Sequence, residues 1–400
     1  MADGSTNECS GSVKLLLDGR IILPRMTGAG RYVIELAQRI PAAASDISVD
    51  VLLLSIMRRT PIPFTLENAG ARVHYCDARI ASIWQWFAIP FVLRRLRTDI
   101  YHYPFLDLPL VNVPAVVTAY DLNPITDPHY FSRFSSAKRV AAGYLIRRTM
   151  RRSTAVLAIS SATADLVKAQ YPESAQKVTA VPLGVDAGYW ARKGTGHSQT
   201  GLTHVSEAGW GRRSYALYVG VDRPHKNLKR LVQAFARFRA RQAWITGTGP
   251  YLWLAGVGTG SDALRSAIAG AQLIDDVRLD PPLQESELKT VYHGATMVVY
   301  VSTSEGFGLP ILESFASGVP VLASNVSSLP EVGGDAALYA DPEDVEALSI
   351  GLARLWSDEA LRGTLVQRGR ARAKEFSWDR TALNTIAVYR SVLRGPARFG

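Results

Sequence analysis

Short apolar runs alternate with helical periodicity along most of this chain, and that alternation restricts the fold more than any other feature. The runs are VKLLLDG (13–19), VDVLLLS (49–55), PAVVTAYD (114–121) and AVLAIS (155–160), then YALYVG (215–220), LWLAG (252–256), TMVVYVS (296–302) and VPVLAS (319–324). Strands that are apolar on both faces and separated by helices belong to parallel sheets covered by helices on either side. Residues 191–213, rich in Gly, Ser and Thr and without apolar period, separate the two series and read as a linker. The expectation is an α/β protein of two doubly wound domains, 12–190 and 214–375, facing each other across a cleft. Ligands of such sheets bind beyond the carboxyl ends of the strands.

Length agrees, since 400 residues at roughly 150 per domain give two or three domains. An apolar share of 47 % is that of a globular chain and excludes disorder or a fibrous repeat. The opening MADGSTNECS has neither the basic region nor the apolar core of a signal peptide. No apolar run approaches the roughly 18 residues of a membrane span, so a cytoplasmic protein is expected. Cys9 and Cys76 are too few for a disulfide framework or a four-thiolate zinc site. The net charge of +10 is uneven: residues 1–200 carry 23 Lys/Arg against 15 Asp/Glu, and residues 201–400 carry 22 against 20. Such an excess attracts nucleic acid, an anionic membrane or a phosphorylated ligand. Without zinc-finger or base-stacking patterns, no nucleic-acid partner is expected.

The most informative stretch is 296–324. A strand ends at Ser302, the loop STSEGFG follows, Pro310 suits a first helical turn, Gly318 suits its stop, and Pro320 precedes the next strand. Gly306 and Gly308 remove the Cβ atoms that would keep a ligand from the loop backbone, and the helix start near Leu309 favours anionic oxygens. Glu305 on the loop and Glu313 in the helix can point at one ligand, and carboxylates accept well from sugar or ribose hydroxyls. The residues alone are equally met by a solvated Glu305 and a Glu313 that complements the helix dipole. In the first domain, Gly28 and Gly30 precede an apolar-periodic helix (Tyr32, Val33, Leu36, Ile40), an arrangement that brings backbone close to a ligand. Gly256, Gly258 and Gly260 read as a strand-to-helix turn. No Asp-x-Asp, His-Glu-x-x-His, Gly-x-Ser-x-Gly or Walker lysine loop occurs, so no metal or cofactor site is expected.

SEGFGLPILESFASGVPVLASNVSSLPEVGGDAALYADP (304–342) closely resembles the signature of the retaining nucleotide-sugar glycosyltransferases of family 4, and Glu305 and Glu313 match its Glu-x7-Glu motif. The resemblance continues in order through TGAGRYVIEL (27–36), VVTAYDLNPITDPHYF (116–131), AISSATADLV (158–167), VTAVPLGVD (178–186), YVGVDRPHKNLKRLVQAF (218–235) and ESELKTVYHGA (285–295). It implies the GT-B architecture of two Rossmann-like domains, acceptor mainly on the first and nucleotide sugar mainly on the second. The helix FSWDRTALNTIAVYRSVLRG (376–395) would pack back on the first.

By position, the resemblance places Glu313 on the ribose, Glu305 near the transferred sugar, and the backbone of Gly306, Phe307, Gly308 and Leu309 on sugar and phosphate. Lys226 matches the lysine that holds the diphosphate, where a fixed cation stabilises the departing charge; an isolated lysine in such a loop is otherwise a solvated amine. Many relatives carry an arginine at the position of Val221, whereas this chain offers Arg223, either a phosphate partner or a surface residue. Gly28 and Gly30 would face the donor sugar and its phosphates. Asp121 falls in the family's His-Asp pair as a catalytic candidate, with Tyr120 in place of the histidine on the sugar side. Tyr120 donates one hydrogen bond but is a poor proton shuttle near neutral pH, and a packed strand-end aromatic is the alternative.

Residues 133–152 contain seven Lys/Arg and no acid, and IWQWFAIPFVLRRLR (83–97) combines Trp84, Trp86 and Phe91 with three arginines. An anionic membrane interface selects such a mixture, although a solvated basic face beside core aromatics meets the same pattern. The expected function is a metal-independent, retaining hexosyltransferase acting on a glycan, a lipid-linked surface polysaccharide precursor. It would need no cofactor and would touch the inner face of the membrane peripherally. The TGAGRY, YDL and PHKN variants resemble bacterial mannosyltransferases, which makes GDP-mannose the first choice of donor. A sugar-nucleotide epimerase of the same architecture and a non-catalytic nucleotide-sugar-binding protein are the alternatives.

Overall fold

The computed structural model describes residues 12–24, 26–121, 136–191, 213–242, 244 and 249–395. Nearly all of the linker 191–213, residues 122–131 and the start of the basic stretch 133–152 therefore lie outside the described residues. The chain divides into two compact units. The first takes the described residues up to Ile159, then Thr163–Pro182 and the chain from Trp378 onward; the second takes Ser160–Ala162 and Leu183–Ser377.

The first unit holds seven parallel strands: β1 (Val13–Asp18), β2 (Ile47–Leu53), β3 (Arg72–Tyr75), β4 (Ile100–Tyr103), β5 (Ala115–Ala119), β6 (Ala155–Ala158) and β7 (Val178–Ala180). Their order is β3-β2-β1-β4-β5-β6-β7, with Leu15 opposite Ile100 where the winding reverses. The second unit repeats the plan with β8 (Tyr215–Val219), β9 (Tyr251–Ala255), β10 (Val277–Asp280), β11 (Met297–Tyr300), β12 (Val321–Ser324) and β13 (Ala337–Ala340), in the order β10-β9-β8-β11-β12-β13. Each sheet thus has one topological switch point, β1/β4 in the first and β8/β11 in the second, where ligands of doubly wound sheets bind.

Five strands were not evident as apolar runs, and four of these, β3, β7, β10 and β13, are the sheet edges. Edge strands are short and only partly covered, so their sequences carry charge, as in RVHY and VRLD. The fifth, β4 (IYHY), is central but interrupted by His102.

Helix α1 (Gly28–Ala43) is capped by Thr27, whose Oγ1 accepts from the Gly30 N–H at 3.1 Å, and buries Tyr32, Val33, Leu36 and Ile40. Helices α2 (Gln85–Leu96) and α3 (Ser136–Arg152) follow in the same unit. In the second unit, α4 (Leu228–Arg241) follows β8 and α5 (Leu309–Ser317) follows β11. The last helix, α6 (Trp378–Arg394), belongs to the first unit, where Ala382, Ile386 and Tyr389 are buried. The Tyr389 hydroxyl lies 2.5 Å from His102 Nδ1, and His102 Nε2 lies 2.7 Å from Thr118 Oγ1, so the buried imidazole links α6 to β4 and β5. Burial pushes the His102 pKa down to about 3, which keeps the ring neutral.

Candidate functional site

At the second switch point two loops meet. Beyond β8, a 3-10 turn, Pro224–Lys226, ends at Asn227 in a left-handed conformation (φ 61°) that asparagine tolerates better than most residues. The Asn227 amide donates to Val301 O at 3.1 Å and Pro342 O at 2.7 Å, and the Thr303 N–H donates to His225 O at 2.8 Å. These bonds fasten the lysine loop to the end of β11. Lys226 Nζ accordingly reaches Glu305 Oε1 at 2.6 Å and the Tyr300 hydroxyl at 3.0 Å. The two charged side chains are only 13 % and 10 % exposed. Lys226 is therefore a largely buried, paired ammonium and not a solvated one.

The glutamate loop is held from behind. Ser327 Oγ donates to Glu305 O at 2.7 Å, and Ser328 Oγ donates to Phe307 O at 2.8 Å. Gly308 sits at φ 116°, where a Cβ would stand 2.9 Å from Leu329 Cδ2, so both conformation and space call for glycine. Helix α5 then starts at Leu309 and Pro310 and stops at Gly318 (φ 74°), as the sequence signals require. On it, buried Glu313 accepts from the Tyr292 hydroxyl at 3.0 Å, and Tyr292 is in turn fixed edge-on by Trp190. Burial, followed by the Glu305 and Glu313 carboxylates, pushes the Tyr300 phenol well above its ordinary range. Both glutamates thus act on one ring, and Tyr300 is a protonated phenol beside an ammonium and two acids.

The remaining candidates are distributed as follows. Arg223 is exposed in extended conformation just before the 3-10 turn. The Phe307 side chain is buried edge-on to Phe376, so this residue can offer only backbone, and Gly306 and Gly308 are buried beside it while Leu309 is half-buried. In the first unit, Gly28 and Gly30 do not precede α1 but form its first turn, and Thr27 already occupies the Gly30 N–H. Asp121 is half-buried beyond β5. Tyr120 packs edge-on to Tyr32, and its hydroxyl is buried with no hydrogen-bond partner among the described residues. Burial raises its pKa well above the usual value, which rules it out as a neutral-pH proton shuttle.

Tyr300, Tyr292, Asn227 and Ser327 escaped the sequence reading. A tyrosine inside an apolar run reads as core, and nothing local to Asn227 or Ser327 reveals the loops they tie. The basic stretch also changes in three dimensions: Arg147 and Arg151 share Glu173, at 3.1 and 3.2 Å, which lies outside the stretch. Trp84 is exposed, whereas Trp86 is half-buried beneath Arg148.

Residues 26–189 match the family model Glycosyltransferase Family 4, and residues 206–372 match the model Glycosyl transferases group 1. The chain is similar to the O-antigen chain mannosyltransferase B of Escherichia coli, 29 % identical over 378 residues that cover 91 % of this chain and 96 % of that protein. Among solved structures, it superposes on a sucrose-phosphate synthase from Thermosynechococcus elongatus with a TM-score of 0.72 at 18 % identity, covering 96 % of this chain and 100 % of the other. It also superposes on the Anabaena protein HepE in complex with UDP-glucose, with a TM-score of 0.71 at 15 % identity over 94 % of this chain and 99 % of the other. The fold is GT-B.

Proposed function

This chain belongs to the family 4 glycosyltransferases, with a group 1 glycosyl transferase domain as its second half, and from that premise we propose that it transfers mannose from GDP-mannose to a glycan, with retention at the anomeric carbon. The observation that carries the reading is the grouping of Lys226, Glu305, Tyr300 and Glu313 about the carboxyl ends of β8 and β11, the two strands that flank the switch point. In the donor complex Lys226 exchanges part of its contact with Glu305 for the diphosphate, whose charge grows as the glycosidic bond breaks. Glu305 faces the sugar, Glu313 accepts from the ribose hydroxyls, and the Gly306–Leu309 backbone offers N–H groups at the start of α5. The attacking hydroxyl enters from the face that the phosphate leaves, and a phosphate oxygen takes its proton, so no carboxylate nucleophile is needed. Lys226 supplies the positive charge that a metal ion supplies elsewhere, and the reaction proceeds without one.

Mannose as the transferred sugar follows the likeness to an O-antigen chain mannosyltransferase. That likeness also supports a polysaccharide as acceptor; we infer from the exposed Trp84 and Phe91 and the arginines of α2 and α3 that the acceptor is a lipid-linked precursor met at an anionic membrane surface. Among the described residues no helix is long and apolar enough to cross a membrane.

The test is to incubate the protein with GDP-mannose, UDP-glucose and a mannoside acceptor and to follow nucleotide release and product anomer by NMR. An α-mannoside formed from GDP-mannose, undiminished by EDTA, supports the reading. A β-linked product overturns retention, preference for UDP-glucose overturns the donor, and loss of activity in EDTA restored by Mg²⁺ overturns metal independence. Donor consumed to a free, isomerised sugar without acceptor identifies the epimerase alternative.

A further inference from the structure

Beyond β4 the first unit contains a cavity of about 530 Å³, walled by Ile83, Trp86, Phe87, Leu110 and Leu145, with the Asp107 carboxyl also in its lining. That volume lies in the ~300–1,000 Å³ range of small-molecule sites. Of its lining, the Phe87 ring is exposed, as are Phe91 one turn further along α2 and Trp84 just before the helix. Water gains little from such walls, and an uncovered apolar patch on a soluble surface marks a place where something apolar binds.

Against Trp86, one of the lining residues of this cavity, lies the cation Arg148. The Arg148 guanidinium lies 4.5 Å above the Trp86 ring, and its Nη1 donates to Leu108 O at 2.6 Å. Its Nη2 is buried with no hydrogen-bond partner among the described residues. Among the described residues no acid forms an ion pair with Arg148, and burial and the neighbouring charge of Arg152 lower its pKa. The nearest turns of α3 do not help, because Arg147 and Arg151 already share Glu173. An unsatisfied buried donor is costly, more so when charged, and an anion removes that cost. Asp107 is not that anion: Tyr103 donates to its Oδ1 at 2.5 Å and Gln85 to its Oδ2 at 2.7 Å, and burial raises its pKa, which favours the uncharged form.

We propose that this cavity holds the first isoprenoid or alkyl units of a membrane-borne lipid phosphate, with the phosphate on Arg148, and that it is the lipid-end subsite for the acceptor. The occupant follows from complementarity: an apolar cavity open towards exposed aromatics takes a hydrocarbon chain, and a guanidinium beside it with no acidic partner among the described residues takes the phosphate at that chain's head. The assignment rests on the glycosyltransferase reading for its role, though not for its chemistry.

Titration calorimetry with farnesyl phosphate, farnesol and inorganic phosphate tests it. Farnesyl phosphate should bind at least tenfold more tightly than either fragment. Arg148→Gln should reduce that affinity tenfold or more and leave farnesol binding unchanged, Arg148→Lys should fall between, and Phe87→Ser should weaken farnesyl phosphate and farnesol alike. Equal affinity for farnesyl phosphate and farnesol removes Arg148 from the site, and equal affinity for farnesyl phosphate and inorganic phosphate removes the cavity; either result overturns the proposal. A thermal-shift titration with GDP on each variant establishes that it is folded, and a variant that fails it is replaced by Arg148→Lys, whose unaltered affinity also overturns the proposal. Mannosyl transfer to a water-soluble mannoside without farnesyl phosphate binding refutes this inference alone. Farnesyl phosphate binding without any sugar transfer refutes the enzymatic reading and leaves the site standing.

Discussion

Lys226 and Glu305, 79 residues apart, hold each other at 2.6 Å, with the Tyr300 hydroxyl as the third corner of the contact. Parallel adjacency of β8 and β11 makes this possible, since the loops beyond both strands open at the same edge of the sheet. A buried pair of opposite charges is weak evidence of stabilisation, because desolvation offsets most of the attraction. On the proposed reading, the pair holds a cation ready for the diphosphate of the donor. Lys226→Ala should therefore lower turnover by about 100-fold, the range seen when one preorganised charge-stabilising donor is lost, while the donor KM changes far less. Steady-state kinetics that show only a raised KM would assign Lys226 to ground-state binding instead.

Glu313 tests nucleotide recognition separately from chemistry. Removing a charged acceptor for the ribose should weaken GDP binding by about 1.5–3 kcal/mol, read by calorimetry on Glu313→Ala. Tyr292→Phe, which removes only the hydroxyl that orients Glu313, should produce a smaller loss in the same direction. Unchanged GDP affinity in Glu313→Ala contradicts the ribose role.

Asn227 acts on the site through position. Its amide joins the lysine loop to Val301 and Pro342, and its backbone is left-handed. Asn227→Gly keeps the backbone accessible but loses the two bonds, whereas Asn227→Ala loses both. Alanine should be the worse of the two in urea unfolding, by about 1 kcal/mol, and both should lower turnover more than GDP affinity. If the two variants match in stability, the left-handed turn carries no cost.

His102 predicts a pH effect on stability that is unrelated to catalysis. Its folded pKa is lowered to about 3 from an ordinary 6.5, so the unfolded chain binds more protons between those values. Its contribution is complete above about pH 6.5 and declines as pH falls toward 3, by about 1.4 kcal/mol per pH unit at most. Urea midpoints at pH 7 and pH 5 should differ less in His102→Gln than in the parent. An equal difference removes His102 as the source.

The exposed aromatics at the start of α2 and on it predict salt-sensitive membrane contact. Trp84 and Phe91 are 72 % and 66 % exposed, and Arg94, Arg95 and Arg97 follow them. Co-sedimentation should be stronger with anionic than with neutral vesicles and fall with salt, given a Debye length of about 8 Å at physiological ionic strength. Trp84→Ser with Phe91→Ser should reduce it at every salt concentration, whereas Gln at Arg147, Arg148, Arg151 and Arg152 should reduce the anionic preference. Equal binding to both vesicle types refutes the electrostatic part.

The sequence alone determined what is written locally. Apolar runs followed by helical period dictate parallel strands with helices between them, and Pro310 and Gly318 bracket α5 because ring constraint and positive φ are properties of single residues. The spacing of Glu305 and Glu313 was legible for the same reason. Tertiary structure decided the rest, because each remaining feature depends on a neighbour remote in sequence. Lys226 becomes a paired ammonium only when β8 lies beside β11. Tyr300 and Tyr292 come into contact with the site only when Lys226 and the glutamates stand next to them, and the packing of Tyr120 edge-on to Tyr32 is equally a matter of a distant neighbour. Edge strands such as RVHY escape periodicity because half their surface is uncovered. Arg148 differs from Arg147 and Arg151 for a spatial reason too: Glu173 reaches those two, and Arg148 lies over Trp86. Charge counted along a helix cannot tell the three apart, since electrostatic partnership falls off with distance in space and not along the chain.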